Sequence, residues 1–293
     1  MLQSISPDIK TCQIRTPTEL SSSIDGIILP GGESTAIGLI GRDNGMWEAL
    51  KKFIIADKKP CWGTCAGMIL LAEKVVGASA VIIGGQSLIG GMDVLVCRNY
   101  FGSQVSSFEL MIDAPPASAD VSEKEPEKEE PTPFPGVFIR APAILAAGEG
   151  VEVLSKVVSV PCRQANTVLN ELDEKMRKGE VVTVMGVVDT DEKDNWRNDE
   201  VKRKRRKVQE GRDDSHVEEK KGETPAYPAD DSSSSPPLIL PGATGVGGAR
   251  EVICAARKGN ILCTAFHPEI SGDDRWHRYF VYEVVGKGGV GGK

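Results

Sequence analysis

A cysteine set between glycines, where an apolar run meets a helix-forming one, leaves the backbone few choices. Pro60-Cys61-Trp62-Gly63-Thr64-Cys65-Ala66-Gly67 leads into the helix-forming run Met68-Ile69-Leu70-Leu71-Ala72-Glu73-Lys74. The core of that stretch, Gly63 to Gly67, reads G-x-C-x-G, the thiol counterpart of the serine nucleophile elbow. In such an elbow the reactive side chain sits on a sharp turn from a strand into a helix, and small neighbours let the chain bend and a substrate approach. The sulfur then lies over a helix N-terminus, where backbone N–H groups favour a negative atom. Cys61 lacks the flanking glycines. Free cysteine is ordinarily a small buried hydrophobe, so a chemical role for Cys65 has to be argued from the rest of the chain.

That rest reads as alternating strands and helices. Ile24 to Leu29 is a short apolar run closed by Pro30-Gly31-Gly32, the pattern of a buried parallel strand ending in a glycine turn. Ser34 or Thr35 then caps a helical run through Ile37, Leu39 and Ile40, and Met46 to Ile55 forms a second amphipathic helix leading to the Cys65 elbow. Further strands are expected at Val81 to Ile83, Met92 to Val96 and Gly136 to Pro142. Glu251 to Ala256 and Asn260 to Phe266 flank Arg257-Lys258-Gly259 as a hairpin, and a last helix runs from Arg275 to Val284.

Two stretches leave this pattern. Residues 115–135 are crowded with Glu, Pro, Ser and Ala, and 189–248 lack any periodic apolar face, so both read as disordered insertions in one domain of 1–293; 286–293 reads as a flexible tail. The basic run Lys202 to Lys207 is read as a solvated charge cluster, with nuclear import the less favoured reading. Gly242 to Gly248 lacks the Lys-Ser/Thr of a phosphate loop and is read as a linker.

Charge and cysteine content narrow the class. A net charge of −7 argues against nucleic acid as the main partner. Seven cysteines without regular spacing suggest reduced thiols rather than disulfides, and no zinc spacing occurs. Without a signal-like opening or about 18 consecutive apolar residues, the chain reads as a cytosolic protein with no membrane partner.

A base for Cys65 can be sought by elimination, because only three histidines exist. His216 lies in the long insertion and His277 in the last helix, where packing or a surface role is expected. His267 ends an apolar run, at a strand end where α/β sheets place functional groups. Pro268 biases it toward extended backbone, which puts Glu269 on the same side as the imidazole. A carboxylate there holds the ring tautomer and leaves the other nitrogen for the thiol. The Gly31-Gly32 turn and the N–H of Ala66 are candidate oxyanion donors. Arg98 and Arg140 each end a strand-like run, where either can face an anionic group.

These blocks carry a resemblance. Leu29-Pro30-Gly31-Gly32-Glu33-Ser34-Thr35, Trp62 to Ile69, Gly90-Gly91-Met92-Asp93, Arg98-Asn99-Tyr100-Phe101-Gly102, Phe138-Ile139-Arg140-Ala141-Pro142 and Phe266-His267-Pro268-Glu269 resemble the glutaminase subunit of pyridoxal 5′-phosphate synthase. That family is a class I, or triad, glutamine amidotransferase. The resemblance implies a flavodoxin-like three-layer α/β fold with a mostly parallel sheet. It implies hydrolysis of L-glutamine to glutamate and ammonia through a glutamyl thioester on Cys65, with His267 as base and then acid and Glu269 orienting it. By position, Gly32, Glu33, Ser34, Arg98, Ile139 and Arg140 match the family's glutamine-binding residues. The implied partner is a (β/α)8 synthase subunit that receives the ammonia for vitamin B6 biosynthesis, and no metal or cofactor is implied. The family's opening strand and helix, with an A-L-Q-G-type motif, have no counterpart here. An N-terminally truncated, catalytically impaired synthase-binding subunit is therefore one alternative, and the glutaminase of another class I amidotransferase is a second.

Overall fold

In the computed structural model, residues 1–77, 88–102, 107–116, 132–178, 185–186, 240, 242 and 248–286 are described. They lie in one of the chain's two compact units, Met1–Val187 with Ile239–Lys293, and the other, Val188–Leu238, lies outside the described residues. So do most of the 189–248 segment, the basic run 202–207, His216, the strand expected at Val81 to Ile83 and the tail beyond Gly286.

After a single helical turn, α1 (Leu2–Ile5), the chain enters β1 (Ile27–Leu29), α2 (Ser34–Asp43) and α3 (Met46–Lys51), which continues into a wider π turn, Lys52–Ala56. The glycine-flanked Cys65 turn joins β2 (Cys61–Thr64) to α4 (Ala66–Leu71). Then come β3 (Ala72–Val76), β4 (Met92–Cys97), β5 (Phe108–Ile112), β6 (Phe134–Phe138), β7 (Ala143–Ala147) and β8 (Glu152–Ser159). α5 (Arg163–Lys178), β9 (Met185–Gly186), the hairpin β10 (Arg250–Lys258) and β11 (Ile261–Thr264), and α6 (Arg275–Tyr279), extended by a π turn over Phe280–Val285, complete the order.

Among the described residues, one mixed sheet runs β1-β2-β11-β10-β7-β4-β3-β9, with β8 also paired to β10, and β5 and β6 form a separate pair. The β1-β2-β11 part is parallel, with Ile28, Trp62 and Leu262 side by side, and β3-β4 is parallel as well. β10 runs antiparallel to β11, β7 and β8, and β7 antiparallel to β4. Parallel strands covered by helices on both faces lose solvent on both sides, which is why β2 is buried at every position.

An aromatic cluster ties the β5-β6 pair to the end of β11. Phe266 lies with ring centroids 5.6 Å from Phe134, 5.8 Å from Phe138 and 5.5 Å from Trp276, and all four rings are fully buried. Phe108 and Phe138 stack across the pair at 5.0 Å. The strand therefore begins earlier than expected. Phe134 and Pro135, assigned from composition to the first insertion, pair with Ile112 and Met111, because burying Phe134 outweighs the Pro-rich bias of its neighbours.

Other elements depart from the sequence expectation. The helix after Cys65 stops at Leu71 instead of running through Lys74, and Ala72–Val76 pairs with β4, burying the β-branched Val75 and Val76. α5 was not anticipated, although Ala165, Leu169 and Leu172 mark its buried face. Its Asp173 accepts a hydrogen bond from Arg250 at 2.8 Å. β7 and β8 were likewise not anticipated. No helix among the described residues is long and apolar enough to cross a membrane.

Candidate active site

Cys65 sits at φ 49°, ψ −102°, between β2 and α4. A non-glycine residue held there stores roughly 1–3 kcal/mol of strain, tolerated only where the surroundings fix it. Its N–H donates to the Thr264 carbonyl at 2.8 Å, and its own carbonyl accepts from Ile69 N–H at 3.4 Å. The flanking glycines provide close approach. A Cβ on Gly63 would lie 2.6 Å from the Gly67 carbonyl oxygen, and one on Gly67 would run into the Leu29 carbonyl oxygen. β1 can therefore pass directly beneath the start of α4.

The end of β11 delivers His267, whose N–H donates to the Val137 carbonyl at 2.8 Å, so β6 helps hold it. Nδ1 lies 2.7 Å from Glu269 Oε1, and the ring lies beside the Cys65 side chain. With Nδ1 occupied by the carboxylate, Nε2 is the nitrogen left for sulfur. The neighbouring Cys65, and after it the bond to Glu269, push the imidazole up to about 10 against the opposing effect of burial. Burial works to raise Glu269, but the hydrogen bond to His267 and the nearby positive charge hold it below the usual carboxylate range. Gly31 completes this cluster, because a Cβ there would lie 2.5 Å from His267 Cε1 and 3.4 Å from Cys65 Cβ. The Ile139 carbonyl oxygen is 4.0 Å from the Cys65 sulfur.

A second cluster follows from the same Gly31-to-Thr35 turn. Glu33 caps α2, accepting from Thr35 N–H at 3.1 Å and Ala36 N–H at 2.7 Å. Those bonds, with the Arg98 cation, hold its carboxyl below the ordinary range despite burial. Arg98 follows β4 and is buried; its Nη2 reaches Glu33 Oε1 at 3.4 Å and Thr35 Oγ1 at 3.2 Å. Its Nε and Nη1 lie buried without a partner. Burial, and then the Arg140 charge, lower the guanidinium against the pull of Glu33. Ser34 is buried in the first turn of α2, Gly32 is at φ 147°, and Arg140 is exposed at φ 48°.

The residues singled out from the sequence thus converge. Glu269 is hydrogen-bonded to His267, whose ring lies beside Cys65, while Gly32, Glu33 and Ser34 share the turn that joins both clusters. Ala66 opens the helix behind Cys65. Two roles went unrecognised: Thr35 binds Arg98 as well as beginning a helix, and Gly31 makes room for the imidazole. His277, expected to pack or face solvent, packs against Trp62 and is 6% exposed. The glycine-rich block was the only signal for the first two. Among the described residues, no group of three or more His, Cys, Asp or Glu side chains is placed to hold a metal ion.

Residues 6–175 match the model of the SNO glutamine amidotransferase family. The chain is 31% identical over 273 residues to a probable pyridoxal 5′-phosphate synthase subunit PDX2 of Arabidopsis thaliana, covering 93% of this chain and 76% of that one. It is 41% identical over 175 residues to the pyridoxal 5′-phosphate synthase subunit PdxT of Carboxydothermus hydrogenoformans, covering 58% and 81%. Among solved structures, a crystal structure of a glutamine amidotransferase superposes with a TM-score of 0.53 at 24% identity, over 97% of this chain and 90% of that one. That likeness shows the α/β amidotransferase fold.

Proposed function

Because this chain belongs to the SNO glutamine amidotransferase family, we propose that it hydrolyses glutamine on Cys65 and passes the ammonia to a pyridoxal 5′-phosphate synthase subunit. The chain is a glutaminase subunit of the amidotransferase kind. The observation that carries the finer reading is the His267 ring set beside Cys65 and hydrogen-bonded to Glu269, with Nδ1 and Oε1 2.7 Å apart.

Sulfur attacks the side-chain amide carbon of glutamine, forming a C–S bond while the carbonyl π electrons move to oxygen. The N–H groups of Gly32 and Ala66 stabilise that oxyanion. His267, already protonated, gives its proton to the departing nitrogen, and ammonia leaves as the carbonyl reforms in a glutamyl thioester. The imidazole then takes a proton from water, whose oxygen attacks the thioester, and the broken C–S bond returns its electrons to Cys65. Glutamine and water have become glutamate and ammonia.

Arg98 and Arg140 supply positive charge for the α-carboxylate of the substrate, and the ionised Glu33 faces its α-ammonium. Ser34 and the Ile139 carbonyl complete the polar lining. The partner fitting this product is a (β/α)8 subunit that consumes ammonia in building the pyridine ring, in the cytosol.

The test is glutamate release from glutamine by the purified chain, with and without a cognate synthase subunit, beside Cys65→Ala. Turnover that requires synthase and disappears with Cys65 is expected. Turnover that persists in Cys65→Ala would sink the mechanism, and a wild-type chain inactive with synthase would favour a non-catalytic docking subunit.

A further inference from the structure

The two arginines that the proposed function sets against the α-carboxylate of glutamine are connected through one short turn. Arg98 leaves β4, and the backbone then turns through Asn99, Tyr100 and Phe101, closed by Gly102 N–H donating to the Asn99 carbonyl at 3.0 Å. Phe101 N–H donates to the Ala141 carbonyl at 3.3 Å, and Ala141 is the residue after Arg140. Left-handed backbone occurs beside one arginine and at the other, with Asn99 at φ 52° and Arg140 at φ 48°. Such conformations persist only where surrounding contacts fix them.

The Arg98 side chain does little to fix itself. Its Nη2 bonds to Thr35 and Glu33 at 3.2 Å and 3.4 Å, at or beyond the long end of the usual range, while Nε and Nη1 have no partner. The aim of the guanidinium therefore depends on the backbone that carries it.

That backbone is gripped from a distant part of the chain. Cys162, 63 positions after Asn99 and directly before α5, donates its S–H to the Asn99 carbonyl at 3.2 Å and its N–H to the Tyr100 carbonyl at 2.8 Å. Two consecutive carbonyls of the turn thus end on one residue. Cys162 is itself fastened to α5, since its carbonyl accepts from Asn166 N–H at 2.8 Å and its sulfur from Ala165 N–H at 3.5 Å. A thiol donates and accepts at the same atom, so the sulfur bridges the strained turn to a helix packed through Ala165, Leu169 and Leu172. Helix capping accounts for the bond from Ala165 but not for the one to Asn99.

We infer that Cys162 is a positioning residue for glutamine binding: it clasps the turn after Arg98 and, through the turn's bond to Ala141, sets where both arginines present their charge. This inference rests on the reading of Arg98 and Arg140 given above.

Two measurements test it. In the first, the full chain with a cognate synthase subunit is assayed as Cys162→Ala, Cys162→Gly and Cys162→Ser. Ala and Gly both remove the bond to Asn99, but Gly caps a helix nearly as well as Ser does and Ala does not. The KM for glutamine should rise about fivefold in Ala and Gly alike, the factor that one neutral hydrogen bond is worth, with kcat unchanged. Ser, which keeps a donor and an acceptor on one atom, should restore the KM. A wild-type KM in Cys162→Gly, or a KM that rises only in Cys162→Ala together with a lower melting temperature, would reduce Cys162 to a helix cap and overturn the assignment. The second measurement needs no turnover. Hydrogen exchange at the Phe101 and Gly102 amides should be about fivefold faster in Cys162→Gly than in the wild type or Cys162→Ser, and an unchanged rate would overturn the clasp. Absence of glutamine turnover in the wild type would instead refute the proposed function, and the exchange rates would then decide the clasp by themselves.

Discussion

Gly31→Ala tests the site at its tightest point. The backbone there needs no special conformation, since Gly31 is absent from the positive-φ residues. What alanine brings is a methyl 2.5 Å from His267 Cε1 and 3.3 Å from Nδ1. Carbon atoms sit comfortably at roughly 3.5–4.0 Å, so the ring has to retreat by about 1 Å. The imidazole side chain is 14% exposed and has room to move outward, so the stability cost should be at the low end of overpacking, about 1 kcal/mol. Catalysis should suffer more. The Nδ1–Oε1 contact of 2.7 Å and the placement of the ring beside Cys65 cannot both survive such a shift. A displacement of about 1 Å at a reacting group costs on the order of a hundredfold, or about 2.7 kcal/mol of barrier. Glutamate release in the presence of synthase, measured beside a thermal melt, separates the two effects. Turnover within about threefold of wild type, with the fold intact, would refute the claim that Gly31 is there to admit the imidazole.

Other expectations follow from the same geometry. The His267 imidazole is raised from 6.5 to about 10, so the stability it contributes is fully present below 6.5 and lost as pH rises through 10. The melting-temperature gap between wild type and His267→Asn should therefore narrow over that interval; a gap that widened would contradict the assignment. Glu269 is shifted downward, so its contribution is present above the ordinary carboxylate value and fades as pH falls, which the same comparison with Glu269→Gln reads out. Arg98→Met should raise the KM for glutamine about tenfold or more, because a charged hydrogen-bond donor is worth roughly 1.5–3 kcal/mol, and an unchanged KM would remove Arg98 from the binding site. Phe266→Ala, in a fully buried four-ring cluster, should cost about 3–5 kcal/mol in denaturant unfolding and lower turnover by loosening the residue before His267.

Much of the site was written locally. G-x-C-x-G encodes its own turn, because the two glycines meet Gly67 and Leu29 backbone within a few residues of the cysteine or one strand away. His267 and Glu269 are two residues apart, so their contact follows from an extended backbone alone. Glu33 caps the helix that its own turn begins. The β10-β11 hairpin is equally local, with the turn at Gly259-Asn260 fixing a register of Lys258 opposite Ile261.

What lay beyond reading was whatever depends on partners far away in the chain. Ala72–Val76 has helix-compatible residues and becomes a strand only because β4 offers an edge to pair with. Phe134 looks like part of a polar insertion until Phe266 and Trp276 surround it. The proposed binding role of Arg98 needs Glu33 and Thr35, more than sixty positions earlier, and the burial of His277 needs Trp62, more than two hundred positions away on another strand. The sequence by itself determined the proposed chemistry, since the candidate nucleophile, base and carboxylate are each fixed by neighbours within a few bonds. Tertiary structure decided which face of each element is buried and which distant groups share a low-dielectric space, because burial is a property of the whole packed chain and cannot be computed from any one stretch of it.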